Sequence, residues 1–192
     1  MQPSLTWIFV NALLINNFTL VYFIGLCPFF GCSNKLDTGI RLGVATIFVM
    51  EVTVVCAWAL NTFVLEHAPY LRLLAFIVAI ASAVQFVEMV IKKFSKALFD
   101  ALGIYLPLIT TNCAVLALAL FYTTKGYSLV AGLVYGVGVG GGGTLALVLM
   151  AGIREELELA RVPAVVKGTA MNLFVAALLS FGFMGFAGLF AR

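Results

Sequence analysis

Six long apolar segments, roughly 5–30, 42–65, 70–91, 101–122, 127–151 and 168–190, divide the chain, and the short connections between them hold most of its charge. Each is about 20 residues or longer, the length an α-helix needs to cross a hydrocarbon core of ~30 Å. With 64% of 192 residues hydrophobic and 10% charged, a soluble domain could not hide its apolar side chains, so lipid must be the solvent. The pattern predicts an all-α integral membrane protein with six transmembrane helices. They form one transmembrane domain over 1–192, with no soluble domain, low-complexity tail or linker. No basic residue precedes the first apolar run, and the first charge of any kind is Lys35. That segment is therefore expected to be retained as a helix, not cleaved as a signal.

The basic residues set the orientation. Lys35, Arg41, Lys92, Lys93, Lys96, Arg154, Arg161 and Lys167 fall in loops one, three and five, while only Arg72, Lys125 and Arg192 fall on the other side. Eight against three places the odd loops in the cytoplasm and both termini outside. Confinement of Lys and Arg to short loops also excludes a nucleic-acid-binding patch. In loop five, Arg154, Glu158 and Arg161 stand at helical spacing, which predicts a helical extension that ends before Pro163. It is read as a solvated cytoplasmic turn, with a docking site for a soluble partner as the alternative.

The first segment cannot be one continuous helix. It carries adjacent amides at Asn16 and Asn17 and then Gly25-Leu26-Cys27-Pro28, where Pro28 lacks a backbone donor and disfavours the α conformation at Cys27. A break is expected there, with Cys27 on an irregular turn. Irregular backbone at membrane depth is tolerated only against protein or a cavity. Segment four has related features. Leu14-Ile15-Asn16-Asn17-Phe18-Thr19-Leu20 resembles Ile109-Thr110-Thr111-Asn112-Cys113-Ala114-Val115, and Pro107 precedes the second stretch. Three helices in each half would make the halves inverted repeats, about 1–95 and 96–192, with their special residues near the midplane.

Four cysteines, Cys27, Cys32, Cys56 and Cys113, lie inside or beside apolar segments, where loop-stapling disulfides are not expected. Cys27 and Cys113 are the candidates for metal or cofactor ligation, with plain burial as the alternative. Two thiolates fall short of the four sulfur ligands an iron–sulfur cluster usually takes, so a partner would have to supply the rest. Cys32 and Cys56 read as packing residues. Two acids, Glu51 and Glu88, lie within apolar segments and are candidates for an ion pathway. Glu88 could instead pair with Lys92 one turn on. His67, the single histidine, reads as a solvated loop residue. The glycine-rich run from Tyr135 to Gly143 has no preceding strand and no P-loop lysine, so it predicts close helix packing, not a nucleotide site.

Asn16-Asn17-Phe18, Gly25-Leu26-Cys27-Pro28-Phe29, Gln85-Phe86-Val87-Glu88-Met89-Val90, the run from Leu106 to Leu116 and the tail Phe183-Met184-Gly185-Phe186-Ala187-Gly188-Leu189 together resemble one membrane-subunit family. It comprises the A and E subunits of the Rnf complex and the D and E subunits of the sodium-pumping NADH–quinone oxidoreductase. The Cys-Pro-Phe stretch is more like the A-type members, although the glycines at 140–143 are richer than that pattern. The resemblance covers essentially the whole chain. It implies a multi-pass subunit in a bacterial cytoplasmic (inner) membrane, within a complex that moves electrons between ferredoxin and NAD and translocates sodium ions or protons. It also implies a [2Fe-2S] cluster shared with a paralogous E subunit, Cys27 and Cys113 being this chain's ligands. The B, C, D and G subunits would complete the assembly. No residue is expected to be catalytic, and the subunit is not expected to be active alone. The competing reading from inverted repeats and broken helices is a small secondary transporter, and within the family the equivalent subunit of the NADH–quinone oxidoreductase.

Overall fold

The computed structural model describes residues 4–31, 33, 36–63, 72–94, 108–109, 111–159 and 168–190. Its elements are all helical: α1 (Leu5–Val10) running into a π-helical turn (Asn11–Ile15), α2 (Leu26–Gly31), α3 (Leu36–Phe63), α4 (Arg72–Phe94), α5 (Cys113–Lys125), α6 (Leu129–Leu159) and α7 (Thr169–Phe190). Among the described residues, three stretches are long and apolar enough to cross a membrane: Leu36–Thr62, Leu129–Leu157 and Thr169–Phe186. The apolar stretches Leu5–Ile15, Leu74–Phe86 and Cys113–Lys125 are shorter. Every one of the six apolar segments therefore contributes helix, but the first is broken, and in the fourth Thr111 and Asn112 stand outside helix between the helical residues 108–109 and the helix that starts at Cys113.

The break in the first segment differs from its sequence expectation. It occupies residues 16–25, and Cys27 and Pro28 lie inside the first turn of α2. The reason is that a first-turn N–H has no intrahelical partner, so proline there removes nothing. What ends α1 is a set of amides. The Asn16 N–H donates to Asn11 O at 2.7 Å, and Asn16 Nδ2 donates to Asn11 Oδ1 at 2.6 Å. Both bonds span the five-residue reach of a π turn. Asn17 then takes over from the backbone. Its Oδ1 accepts the N–H groups of Thr19 (3.0 Å) and Leu20 (3.2 Å), and its Nδ2 donates to Leu13 O (3.2 Å) and Gly142 O (2.8 Å). Ser180 on α7 donates its hydroxyl to Leu20 O at 2.7 Å. Polar backbone freed by the break is thus matched inside the protein, as a site away from water requires.

The glycine run packs two neighbours at once, as its composition predicted. On one face of α6, a Cβ at Gly136 would fall 2.6 Å from Glu51 Oε1, and one at Gly140 would fall 2.8 Å from Ile47 Cγ1. Further along, a Cβ at Gly43 of α3 would collide with Thr144. The pairs 43 with 144, 47 with 140 and 51 with 136 run in opposite senses, so α3 and α6 are antiparallel with small residues four apart at the seam. The other face meets the first segment: Gly138 against Ala12 and the Phe9 carbonyl, Gly142 against the Leu13 carbonyl and Asn17. Phe18, wholly buried, seals this junction with Phe121 and Tyr135, at ring centroid distances of 5.4 and 6.2 Å. The large exposed apolar residues, such as Leu74 and Phe86 on α4 and Phe174 and Phe181 on α7, lie on outward faces, where lipid replaces water as neighbour.

Candidate functional site: two thiols beside a glycine turn

Cys113 is the first residue of α5. Asn112 caps that helix, its Oδ1 accepting the Ala114 N–H at 3.0 Å, and Gly126 closes the other end in the left-handed region at φ 61°. The break of the first segment lies directly against this N-terminal end. The Gly25 N–H donates to Cys113 Sγ at 3.0 Å. Gly25 has φ +85°, and a Cβ there would lie 3.1 Å from Ala114 Cβ and 3.3 Å from Asn112 Oδ1. Both the turn and the close approach therefore require glycine. Cys27 follows two residues later, in the first turn of α2, and both thiols are exposed. The structure joins the backbone turn two residues before Cys27 to the sulfur of Cys113.

The seven-residue match between the two halves is partly reflected locally. Asn17 and Asn112 occupy matched positions, and each accepts the N–H two residues on. The cysteines are not at matched positions by that alignment, since Phe18 falls opposite Cys113. What Cys27 and Cys113 share is a place in the first turn of the helix that follows each irregular stretch.

Space behind the thiols is small. A cavity of about 20 Å³ lies between the break and α6, with Thr19, Gly25, Asn112 and Thr144 in its wall. That is room for about one water molecule. Among the described residues, no set of three or more His, Cys, Asp and Glu side chains gathers at a common point. Tyr22 and Phe23, 44% and 50% exposed, stand beside the site, and Phe23 takes the rare positive φ of 56° for a non-glycine residue.

Of the other nominated residues, Glu51 is half-buried on α3, and its Oε1 is fully buried with no hydrogen-bond partner. Glu88 lies on α4, but its side chain is outside the described residues, as are Cys32 and His67. Cys56 is half-buried on α3. The start of loop five is helical, as its charge spacing predicts, and residues 160–167 lie outside the described residues. Helix α6 extends to Leu159, and Arg154 Nη1 donates to Ser33 Oγ (2.7 Å) and Phe30 O (3.3 Å), while Glu155 Oε1 accepts the Leu36 N–H (3.0 Å). These residues tie the far end of α2 to α6, a role that charge spacing alone did not reveal.

Fold and site define an all-helical membrane protein in which two interrupted segments present a pair of exposed thiols. The chain belongs to the Rnf-Nqr subunit family of membrane proteins, whose family model matches residues 5–190. It is 52% identical over 190 residues to the A subunit of the ion-translocating oxidoreductase complex of Syntrophotalea carbinolica, covering 98% of each chain. Proteins of the same name from Serratia proteamaculans and Photorhabdus laumondii are 52% and 50% identical over 184 residues, 95% of each chain.

Proposed function

We propose that this chain is a membrane subunit of an ion-translocating ferredoxin–NAD oxidoreductase complex. In this reading Cys27 and Cys113 supply two of the four sulfur ligands of a [2Fe-2S] cluster shared with a paralogous E-type subunit. The observation that carries it is the 3.0 Å bond from the Gly25 N–H to Cys113 Sγ, which draws the Cys27 segment and the Cys113 helix together at the surface. The donor set fits half a cluster: two soft sulfur atoms, exposed where a second subunit can add two more. When bound, the cluster supplies one-electron transfer.

The chain's own residues prepare the sulfurs. The Gly25 N–H donates to Cys113 Sγ and fixes that sulfur at the first turn of α5. Asn112 fixes the start of that helix, and Asn17 anchors the break to α6 through Gly142. The chain crosses a bacterial cytoplasmic membrane six times as two inverted three-helix repeats, about 1–95 and 96–192, with both termini outside. Its pseudo-symmetric partner is the E subunit, and the B, C, D and G subunits complete the assembly. Glu51 and Glu88 contribute to the path of the translocated sodium ion or proton.

The test is the assembled complex purified with Cys27→Ala or Cys113→Ala. Each variant should lose one cluster's iron and acid-labile sulfide, together with the corresponding EPR signal, while Cys56→Ala keeps all three. Full iron occupancy in either of the first two variants would overturn the assignment.

A further inference from the structure

We propose that Glu51 is a proton-binding site: its carboxyl is held neutral against Gly136 on the α3–α6 seam and takes up and releases a proton in preference to a metal cation. This deepens the ion-path reading of Glu51 and rests on it only for the link to transport. Glu51 lies near the middle of the 28-residue α3, in a stretch apolar enough to cross a membrane. Its Oε1 is fully buried and has no hydrogen-bond partner. An ionised carboxylate would leave Oε1 without water and without a hydrogen bond in exchange, whereas a protonated one carries no net charge to desolvate.

The surroundings decide between proton and metal. Around the place a Gly136 Cβ would occupy stand Glu51 Oε1 at 2.6 Å, Val54 Cγ2 at 3.2 Å and Glu51 Cδ at 3.5 Å. On the side that faces α6 the carboxyl meets Gly136, which offers no side-chain oxygen, and among the described residues no three His, Cys, Asp or Glu side chains gather to replace a cation's hydration shell. A proton needs one oxygen only. Among the described residues, no ion pair to Glu51 is formed from the elements packed on α3. From α6 the facing residue is Gly136, and Tyr122 of α5 packs at Gly132, one turn away along α6. The buried face of α4 offers Phe76, Ile80 and Val84, and α3 itself adds Cys56. Lys125 of α5 is engaged over the rings of Tyr127 and Tyr135. Gly136 matters because any side chain there would displace the carboxyl. The residue pair is therefore a matched acid and gap.

The experiment uses the purified complex in lipid and two readouts. Dicyclohexylcarbodiimide, an apolar reagent specific for protonated carboxyls, should label Glu51 in a peptide map, less as pH rises and equally with or without sodium chloride. The infrared C=O stretch of a protonated carboxyl should be present in the unmodified complex and absent from Glu51→Gln. Labelling suppressed by sodium at constant pH would overturn the proposal in favour of a sodium site. Loss of a carboxylate band, not a protonated-carboxyl band, in Glu51→Gln would overturn it in favour of a permanent anion. If both readouts hold but Glu51→Gln pumps ions at the normal rate, the proton site stands and the ion-path role fails.

Discussion

The Gly25 N–H points at the sulfur of Cys113 across 3.0 Å, although 88 residues separate the two in the chain. This bond joins the broken first segment to the start of α5. It also explains why glycine precedes Cys27 by two residues: the positive φ leaves the N–H free to turn towards the neighbouring helix.

Gly25→Ala should weaken this junction. The left-handed conformation costs an L-residue about 1–2 kcal/mol, and the new methyl would press on Ala114 Cβ and Asn112 Oδ1. The expected result is a lowered thermal midpoint for the purified complex and loss of iron from the cluster proposed for Cys27 and Cys113. An unchanged midpoint with full iron would show that the turn tolerates a side chain.

Asn17→Asp should be worse than its size suggests. The amide is 0% exposed and makes four hydrogen bonds, two of them donated to the carbonyls of Leu13 and Gly142. An aspartate keeps the acceptor for Thr19 and Leu20 but sets an oxygen against those two carbonyls. The cost is at least ~2 kcal/mol, since buried polar groups lose their partners and a charge is added. Proteolytic sensitivity and the unfolding midpoint in detergent would register it.

Much of this was legible in the chain. Apolar segment length gave the helices, the amides and proline flagged the broken first segment, and the glycine run foretold close packing. Cys27 and Cys113 were nominated from their setting, and the turn that precedes the first is bonded to the sulfur of the second. The position of the break was not legible from Pro28, because a proline in a helix's first turn removes no bond, whereas the Asn11–Asn16 pair and the reach of Asn17 to Gly142 depend on three-dimensional neighbours. The gap that Gly136 leaves for Glu51 was hidden for the same reason. Nothing in either local sequence announces that two residues so far apart in the chain will face each other.

The two ends of the α6 glycine series make opposite predictions for the same chemical change. At Gly140 an added methyl would sit 2.8 Å from Ile47 Cγ1 and 3.1 Å from Ile47 Cα, so the helices must separate. Gly140→Ala should destabilise by about 1–3 kcal/mol through overpacking. At Gly152, further along the same helix, a Cβ meets nothing within 4 Å. There the substitution should stabilise by up to ~1 kcal/mol, the helix-propensity difference between glycine and alanine. Unfolding midpoints of the two variants, compared with the parent, should move in opposite directions.

Arg154 is expected to hold the Cys27 helix from behind. Its guanidinium donates to Phe30 O, three residues past Cys27, and to Ser33 Oγ just beyond the end of α2. A six-residue helix has little stability of its own, so its placement depends on such ties. Arg154→Ala removes both bonds, each from a charged donor and worth about 1.5–3 kcal/mol at most, and frees the last turn of α2. Arg154→Lys retains a positive charge and one donor group but loses the planar fork. In the cluster-free complex, the alkylation rate of Cys27 should rise in Arg154→Ala and less in Arg154→Lys, while that of Cys113, held by Gly25 and preceded by the Asn112 cap, stays the same. Equal rates for Cys27 in all three proteins would show that α2 keeps its position without the arginine.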